Sequence, residues 1–166
     1  RQGNAYLEAK DFDCARAVFT EAILIAGQTY PHLLAKLYLN RARAEDGDGN
    51  IEDAVRDARK CVETNPVWWK GHAWLGKLLG KQCKFADAAR SIESALVYLP
   101  SDDATRRALD SQLCTMKLEA GRQRRQEHMN TSYHPGLNAA ARKSVAARFA
   151  GSSLPCDMGE EDEKRV

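Results

Sequence analysis

Leu75-Gly76 … Leu79 … Phe85 … Ala88 … Ile92 … Ala95 … Pro100 is the stretch whose reading decides the fold. Large apolar residues fall among small ones at the three-, four- and seven-residue steps of α-helices. The bulky side chains fill the space between two helices. Gly76, Ala88 and Ala95 stand where backbones must approach closely, and Pro100 stops the second helix. The stretch encodes a two-helix hairpin, and its frame recurs. Asp53-Ala54-Val55 … Cys61-Val62 … Pro66 repeats the pattern with Ala54 34 residues before Ala88. Phe12 … Ala15 … Phe19 … Ala22-Ile23 matches again, with Ala15 39 residues before Ala54. The five surplus residues read as lengthened helices around Gly27-Gln28-Thr29-Tyr30-Pro31, where Gly and Pro mark a turn.

This spacing resembles the tetratricopeptide-repeat (TPR) consensus, whose period is about 34 residues. The resemblance implies an all-α, helical-hairpin superhelix of three repeats plus a C-terminal capping helix, an architecture that binds rather than catalyses. Helices are predicted from the start to Lys10, then Phe12 to Ala26, Pro31 to Glu45, Ile51 to Thr64, Val67 to Lys81 and Phe85 to Tyr98. A seventh begins after Ser101-Asp102-Asp103, a plausible N-cap with acidic residues in the first turn. Its apolar residues Ala104, Ala108, Leu109, Leu113 and Met116 form one face, which covers the last hairpin as repeat arrays require. Residues 1–120 are therefore predicted as the TPR domain with its cap, and 121–166 as an appendage.

Composition agrees with a helical core. The 166 residues are 43% hydrophobic and contain no apolar run of membrane-spanning length. No signal peptide precedes the first repeat, and the chain opens at Arg1 without a Met, inside the first repeat's leading helix, as a fragment of something longer would. The cysteines are odd in number, five, and lack a C-x-x-C pair, which predicts reduced thiols in a cytoplasmic protein. A net charge of +2 argues against a polyanion binder. Arg122-Gln123-Arg124-Arg125-Gln126-Glu127 reads as a solvated face rather than a nucleic-acid patch. No nucleophile–base constellation or phosphate loop is present, so no enzyme, cofactor or metal is predicted. Asp46-Gly47-Asp48-Gly49-Asn50 imitates the start of an EF-hand loop, but Ile51 holds the position that needs Gly and Asp57 the one that needs Glu.

Gly3-Asn4, Leu37-Tyr38-Leu39-Asn40-Arg41-Ala42 and Trp69-Lys70-Gly71-His72 resemble the carboxylate-clamp TPR domains of heat-shock co-chaperones, over Arg1 to about Leu118. That family binds the acidic tails of the seventy- and ninety-kilodalton heat-shock chaperones, which end in Glu-Glu-Val-Asp. The resemblance implies that Asn4, Asn40 and Lys70 hold carboxylate oxygens, with the lysine making those hydrogen bonds charge-assisted. The clamp's first-repeat lysine falls before Arg1, and its third-repeat arginine is Trp74 here. Trp cannot form a bidentate fork with a carboxylate. Lys77, one turn on, and Arg43, one turn beyond Asn40, are candidates to supply charge, and Trp74 to stack on an apolar or aromatic peptide side chain. The predicted peptide-binding set is thus Asn4, Asn40, Arg43, Lys70, Trp74 and Lys77. The alternative is a TPR scaffold subunit that binds a different protein. Structural roles are also open: Asn40 tying helices, Asn4 capping a turn, Trp68 and Trp69 packing at a helix start, and His72 as a packed, satisfied histidine.

Tyr133-His134-Pro135-Gly136-Leu137-Asn138 is similar to the Tyr-His-Pro-Asp-Lys-Asn loop of J domains. Gly136 replaces the carboxylate residue, no separate first J helix fits upstream, and Gly151 and Pro155 interrupt the third. This second resemblance implies a degenerate J-like remnant that does not stimulate ATP hydrolysis. The alternative for the loop is a fortuitous His-Pro turn, and the charged end from Gly159 is expected to be mobile.

Overall fold

The computed structural model describes residues 1–27, 30–100 and 103–132. They form α1 (Gln2–Glu8), α2 (Phe12–Ala26), α3 (Pro31–Gly47), α4 (Ile51–Thr64), α5 (Trp69–Lys81), α6 (Phe85–Tyr98) and α7 (Asp103–Ser132). The chain divides into compact units at Arg1–Arg125 and Gln126–Val166. The J-like loop, the charged end and the Ser101-Asp102 cap lie outside the described residues.

Each odd helix folds back on the next even one through a turn that repeats in detail. Lys10, Gly49 and Cys83 take φ of 59°, 87° and 58°. The next N–H then reaches the carbonyl five residues back: Asp11 to Tyr6 at 2.9 Å, Asn50 to Glu45 at 2.9 Å, and Lys84 to Leu79 at 3.0 Å. These bonds satisfy carbonyls that the helix end leaves unpaired, in the manner of a Schellman closure. Gly49 adopts the left-handed conformation without a Cβ to clash, whereas Lys10 and Cys83 carry a cost of about 1–2 kcal/mol each.

The surplus between the first and second repeats is helical, as the sequence predicts. α2 has 15 residues against 14 in α4, and α3 has 17 against 13 in α5. The connections are equal in length, residues 27–30 matching 65–68 and 48–50 matching 82–84.

Three predicted boundaries move. α1 stops at Glu8 because Lys10 is left-handed. α3 runs on to Gly47 because, in the run Asp46-Gly47-Asp48-Gly49, the reversal is made at Gly49. α5 starts at Trp69 rather than Val67, since Trp68 N–H bonds back to the Asn65 carbonyl at 3.2 Å and Trp68 is extended. α7 passes through Gly121 without interruption. One helical glycine costs about 1 kcal/mol, and the Arg122–Glu119 ion pair at 2.6 Å spans the site.

Small residues let the hairpins close. A Cβ on Gly76 would fall 2.6 Å from Ile92 Cγ1 and 3.1 Å from the Ala88 carbonyl oxygen, so α5 meets α6 there backbone to backbone. Ala42, Ala54, Ala58, Leu75, Leu78 and Ala88 continue this core through the second and third repeats. Leu109 of α7 packs on Ile92, Ala95 and Leu99, with Leu113 and Met116 beside it, which is the predicted cap. Ala104 and Ala108, expected on the same face, are exposed; Leu109 instead takes the buried place at this end of α7. Polar bonds also cross the array. Arg41 of α3 gives Nε and Nη2 to the Asp57 carboxylate of α4 at 2.6 and 2.8 Å, and Nη1 to Thr20 Oγ1 of α2 at 3.1 Å. That carboxylate raises the Arg41 guanidinium above its ordinary range, against the opposing effect of burial. Among the described residues, no helix is long and apolar enough to cross a membrane.

Candidate peptide groove

The shared turns give α1, α3 and α5 a common register. Six residues before Lys10, Gly49 and Cys83 stand Asn4, Arg43 and Lys77; nine residues before them stand Arg1, Asn40 and Trp74. α1 packs beside α3 and α3 beside α5, which sets these two rows next to each other across the array.

Asn40 Nδ2 donates to Asn4 Oδ1 at 3.2 Å, joining α3 to α1. Arg43 and Trp74 are the repeat equivalents of Asn4 and Asn40, and they too touch: the guanidinium carbon lies over the indole, 5.7 Å from its centroid. One diagonal contact is therefore made twice, once by two amides and once by a cation on a ring. Lys77 Nζ stands 4.1 Å from the same centroid and 3.6 Å from Asp46 Oδ2, a carboxylate that Lys81 also engages. Lys70 Nζ lies over the Trp69 ring at 5.6 Å.

Arg43, Lys70, Trp74 and Lys77 line one cleft of about 340 Å³, with Leu39, Trp69, Ala73, Leu109 and Gln112. The structure thus gathers four of the six predicted residues here and pairs the other two, Asn4 and Asn40, next along α3. Arg43 and Lys70 have no carboxylate partner among the described residues. Trp74 is partly buried between two apolar clusters, and its Nε1 is shielded from water without a hydrogen-bond partner among the described residues. Packing and the two cations hold the ring in place, not a hydrogen bond. A larger cleft of about 540 Å³, lined by Ile23, Leu34, Tyr38 and Lys60, contains none of the predicted residues.

From sequence, Trp69 reads first as packing at a helix start. It does pack beside Ile92 and Leu109, yet it also forms a wall of the cleft and underlies Lys70. The spacing of Trp69, Ala73 and Lys77 at successive four-residue steps carries that signal. The α7 residues Leu109 and Gln112 were missed as lining because a cap read only for its buried face hides its edge. His72 is packed as expected: its Nε2 meets the Pro66 carbonyl oxygen at 2.7 Å, and its ring stacks on Tyr98. Asp46 and Asp48 of the EF-hand imitation are engaged by Lys77, Lys81 and Arg16. Buried Cys61 has its thiol pushed up to about 12 by desolvation.

Three stacked helical hairpins with a capping helix and a polar, cationic face on the odd helices define a TPR domain. No family model matches the chain. It is similar to heat shock protein STI1 of Saccharomyces cerevisiae, 36% identical over 110 residues that make up 66% of this chain and 18% of the yeast protein. It is also similar to the Hsp70-Hsp90 organizing protein of Triticum aestivum, 33% identical over 108 residues, 65% of this chain and 18% of the wheat protein. Among solved structures, the TPR2B-domain–pHsp70 complex of yeast Sti1 matches with a TM-score of 0.63 at 20% identity, over 70% of this chain and 91% of that one. The chain spans about a fifth of the length of the curated relatives it matches. It is a TPR domain, similar in sequence to the matched stretches of these two relatives and in fold to the TPR2B domain of yeast Sti1.

Proposed function

We propose that this chain is a non-enzymatic, cytoplasmic peptide-binding adaptor of the chaperone machinery. Its groove holds the acidic C-terminal tail of a seventy- or ninety-kilodalton heat-shock chaperone. The observation that carries the reading is the Asn4–Asn40 amide pair set beside a cleft with two uncompensated cations, Arg43 and Lys70. The inter-amide bond uses one Asn40 N–H and the Asn4 carbonyl. Both Asn4 N–H donors and the second Asn40 N–H remain for a ligand. Amide donors next to cations suit carboxylate oxygens, and the resulting bonds are about twice as strong as neutral ones. The names of the wheat and yeast relatives, and the peptide complex of the yeast domain, support the same ligand class.

Calorimetric titration with a peptide ending in Glu-Glu-Val-Asp tests it. Micromolar binding is expected, weakened about tenfold or more by Asn40→Ala and by Lys70→Ala, a loss of at least ~1.4 kcal/mol each. Absence of binding by the unaltered chain refutes the reading. The scaffold alternative then takes its place, favoured by Trp74 at the clamp's arginine position and by the consecutive exposed residues Leu24 and Ile25 on α2.

A further inference from the structure

We propose that Arg43, carried on the face of Trp74, is the residue that reads a ligand carboxylate where the third repeat lacks its arginine. The inference rests on the adaptor reading and assigns the charge of its groove to a different helix.

The repeated diagonal contact is the basis. Between α1 and α3 it is made by Asn4 and Asn40, and both amides keep N–H donors for a ligand. Between α3 and α5 it is made by Arg43 and Trp74. The single donor of Trp74 is its Nε1–H, which is buried and does not reach the cleft. Of this pair, Arg43 is the residue with donors left for a ligand. A cation–π contact uses none of the five guanidinium N–H groups, and their fork matches a carboxylate. Trp74 is therefore a positioning residue: its ring holds in place a long side chain that would otherwise lose rotamer freedom on binding.

The other cations are less suited. Lys77 lies over the same ring, but Asp46 stands 3.6 Å from its ammonium and offsets its charge. Lys70, from α5, is a point charge lining the same cleft and lacks the planar fork of a guanidinium. Arg43 and Lys70 thus face one space of about 340 Å³ from two helices, with no carboxylate on either among the described residues. A chain carboxylate fits between them, from either the peptide's C-terminus or an acidic side chain.

The test is calorimetry on the full chain with three peptides: one ending in Glu-Glu-Val-Asp, its C-terminal amide, and the version with both glutamates changed to glutamine. Arg43→Ala is expected to weaken the parent peptide about 10- to 100-fold, and Arg43→Lys to recover part of the loss. Whichever altered peptide shows no further loss in Arg43→Ala lacks the carboxylate that Arg43 reads, which separates the terminal from the side-chain source. Trp74→Ala should weaken binding of that carboxylate selectively, and Trp74→Phe should restore it, a pattern that simple loss of packing would not give. Arg43→Ala within about twofold of the parent, while Asn40→Ala and Lys70→Ala still cost tenfold, overturns the inference and leaves the adaptor reading standing. No binding by the unaltered chain overturns both.

Discussion

Replacing Asp57 with alanine removes the carboxylate on which three helices converge. Asp57 on α4 is 5% exposed, and it receives two N–H groups from Arg41 of α3, which also reaches Thr20 of α2. The Arg41 side chain is 17% exposed, so the pair is largely out of water but not sealed. Breaking a buried pair by deleting one partner costs about 3–5 kcal/mol, because the surviving charge stays desolvated. After Asp57→Ala, Arg41 keeps a single neutral acceptor at depth, and its partial exposure puts the cost near the lower end, about 3 kcal/mol. At roughly 3 °C per kcal/mol for a chain of this size, the melting temperature should fall by about 9 °C. Urea and thermal unfolding followed by far-UV circular dichroism measure both quantities. The companion variant Arg41→Met with Asp57→Leu removes both charges and fills the same space. It should unfold within about 1 kcal/mol of the parent, since apolar replacement of a buried pair is often neutral. A single-variant loss below about 1 kcal/mol, or a double variant as weak as the single one, would show that the pair is solvated and the reasoning wrong.

The repeat turns supply further tests. Asp11 caps α2 by accepting from the Cys14 N–H at 3.1 Å, whereas the equivalent Lys84 offers no cap and sets a cation at the positive end of α6. Lys84→Asp should gain about 1 kcal/mol in urea unfolding; an unchanged midpoint counts against capping as the missing element. Cys83→Gly relieves a left-handed Cβ at φ 58° and should gain about 0.5–1 kcal/mol after the entropy of glycine is subtracted. Destabilisation there would mean that the thiol packs more than it strains. In a Cys156→Ser background, an aromatic disulfide reagent at mildly alkaline pH should label exposed Cys83 and Cys114 first. Cys14 should follow, because the hydrogen bond to Asp11 raises its thiol, and buried Cys61 should label only on unfolding. The sign for stability is set by the same burial: the folded state keeps the Cys61 proton up to about 12, so this residue's contribution is lost as pH climbs from about 8.5 towards that value.

Close backbone approach leaves a mark in composition, and for that reason the hairpins were legible. Gly76, Ala88 and Ala95 cannot be enlarged where α5 meets α6, and their spacing alone predicts the pairing. The surplus between the first two repeats was legible for a similar reason: turn residues stayed where turns are, so the extra length had to be helical. Helix ends were less so. Asp46-Gly47-Asp48-Gly49 is turn-forming throughout, and which glycine reverses the chain depends on the hydrogen bond from Asn50 to Glu45. Left-handed Lys10 and Cys83 are invisible in a sequence because neither residue favours that conformation. In the groove, Asn40 and Lys70 could be found by their resemblance to a motif. The Arg43–Trp74 contact could not, since a cation over a ring has no fixed sequence spacing when it joins two helices.

What can be read, once the register is known, is that the contact was due at that place. Arg43 stands at the position of Asn4 and Trp74 at the position of Asn40, each counted from a left-handed turn. In a stacked array each interface touches only its neighbours, so the chemistry of one diagonal contact can change while the next keeps its own. Seen residue by residue, tryptophan in place of arginine removes a charge from α5. Seen across the interface, a charge remains in the same cleft, supplied from α3 and resting on the residue that displaced it. Asp46 sharpens the distinction by engaging Lys77 and Lys81 at the ends of α3 and α5, which leaves Arg43 and Lys70 as the cations whose charge the cleft has not already offset. If Arg43 reads the ligand carboxylate as proposed, a substitution that looks like loss of a clamp residue is its transfer to the neighbouring helix.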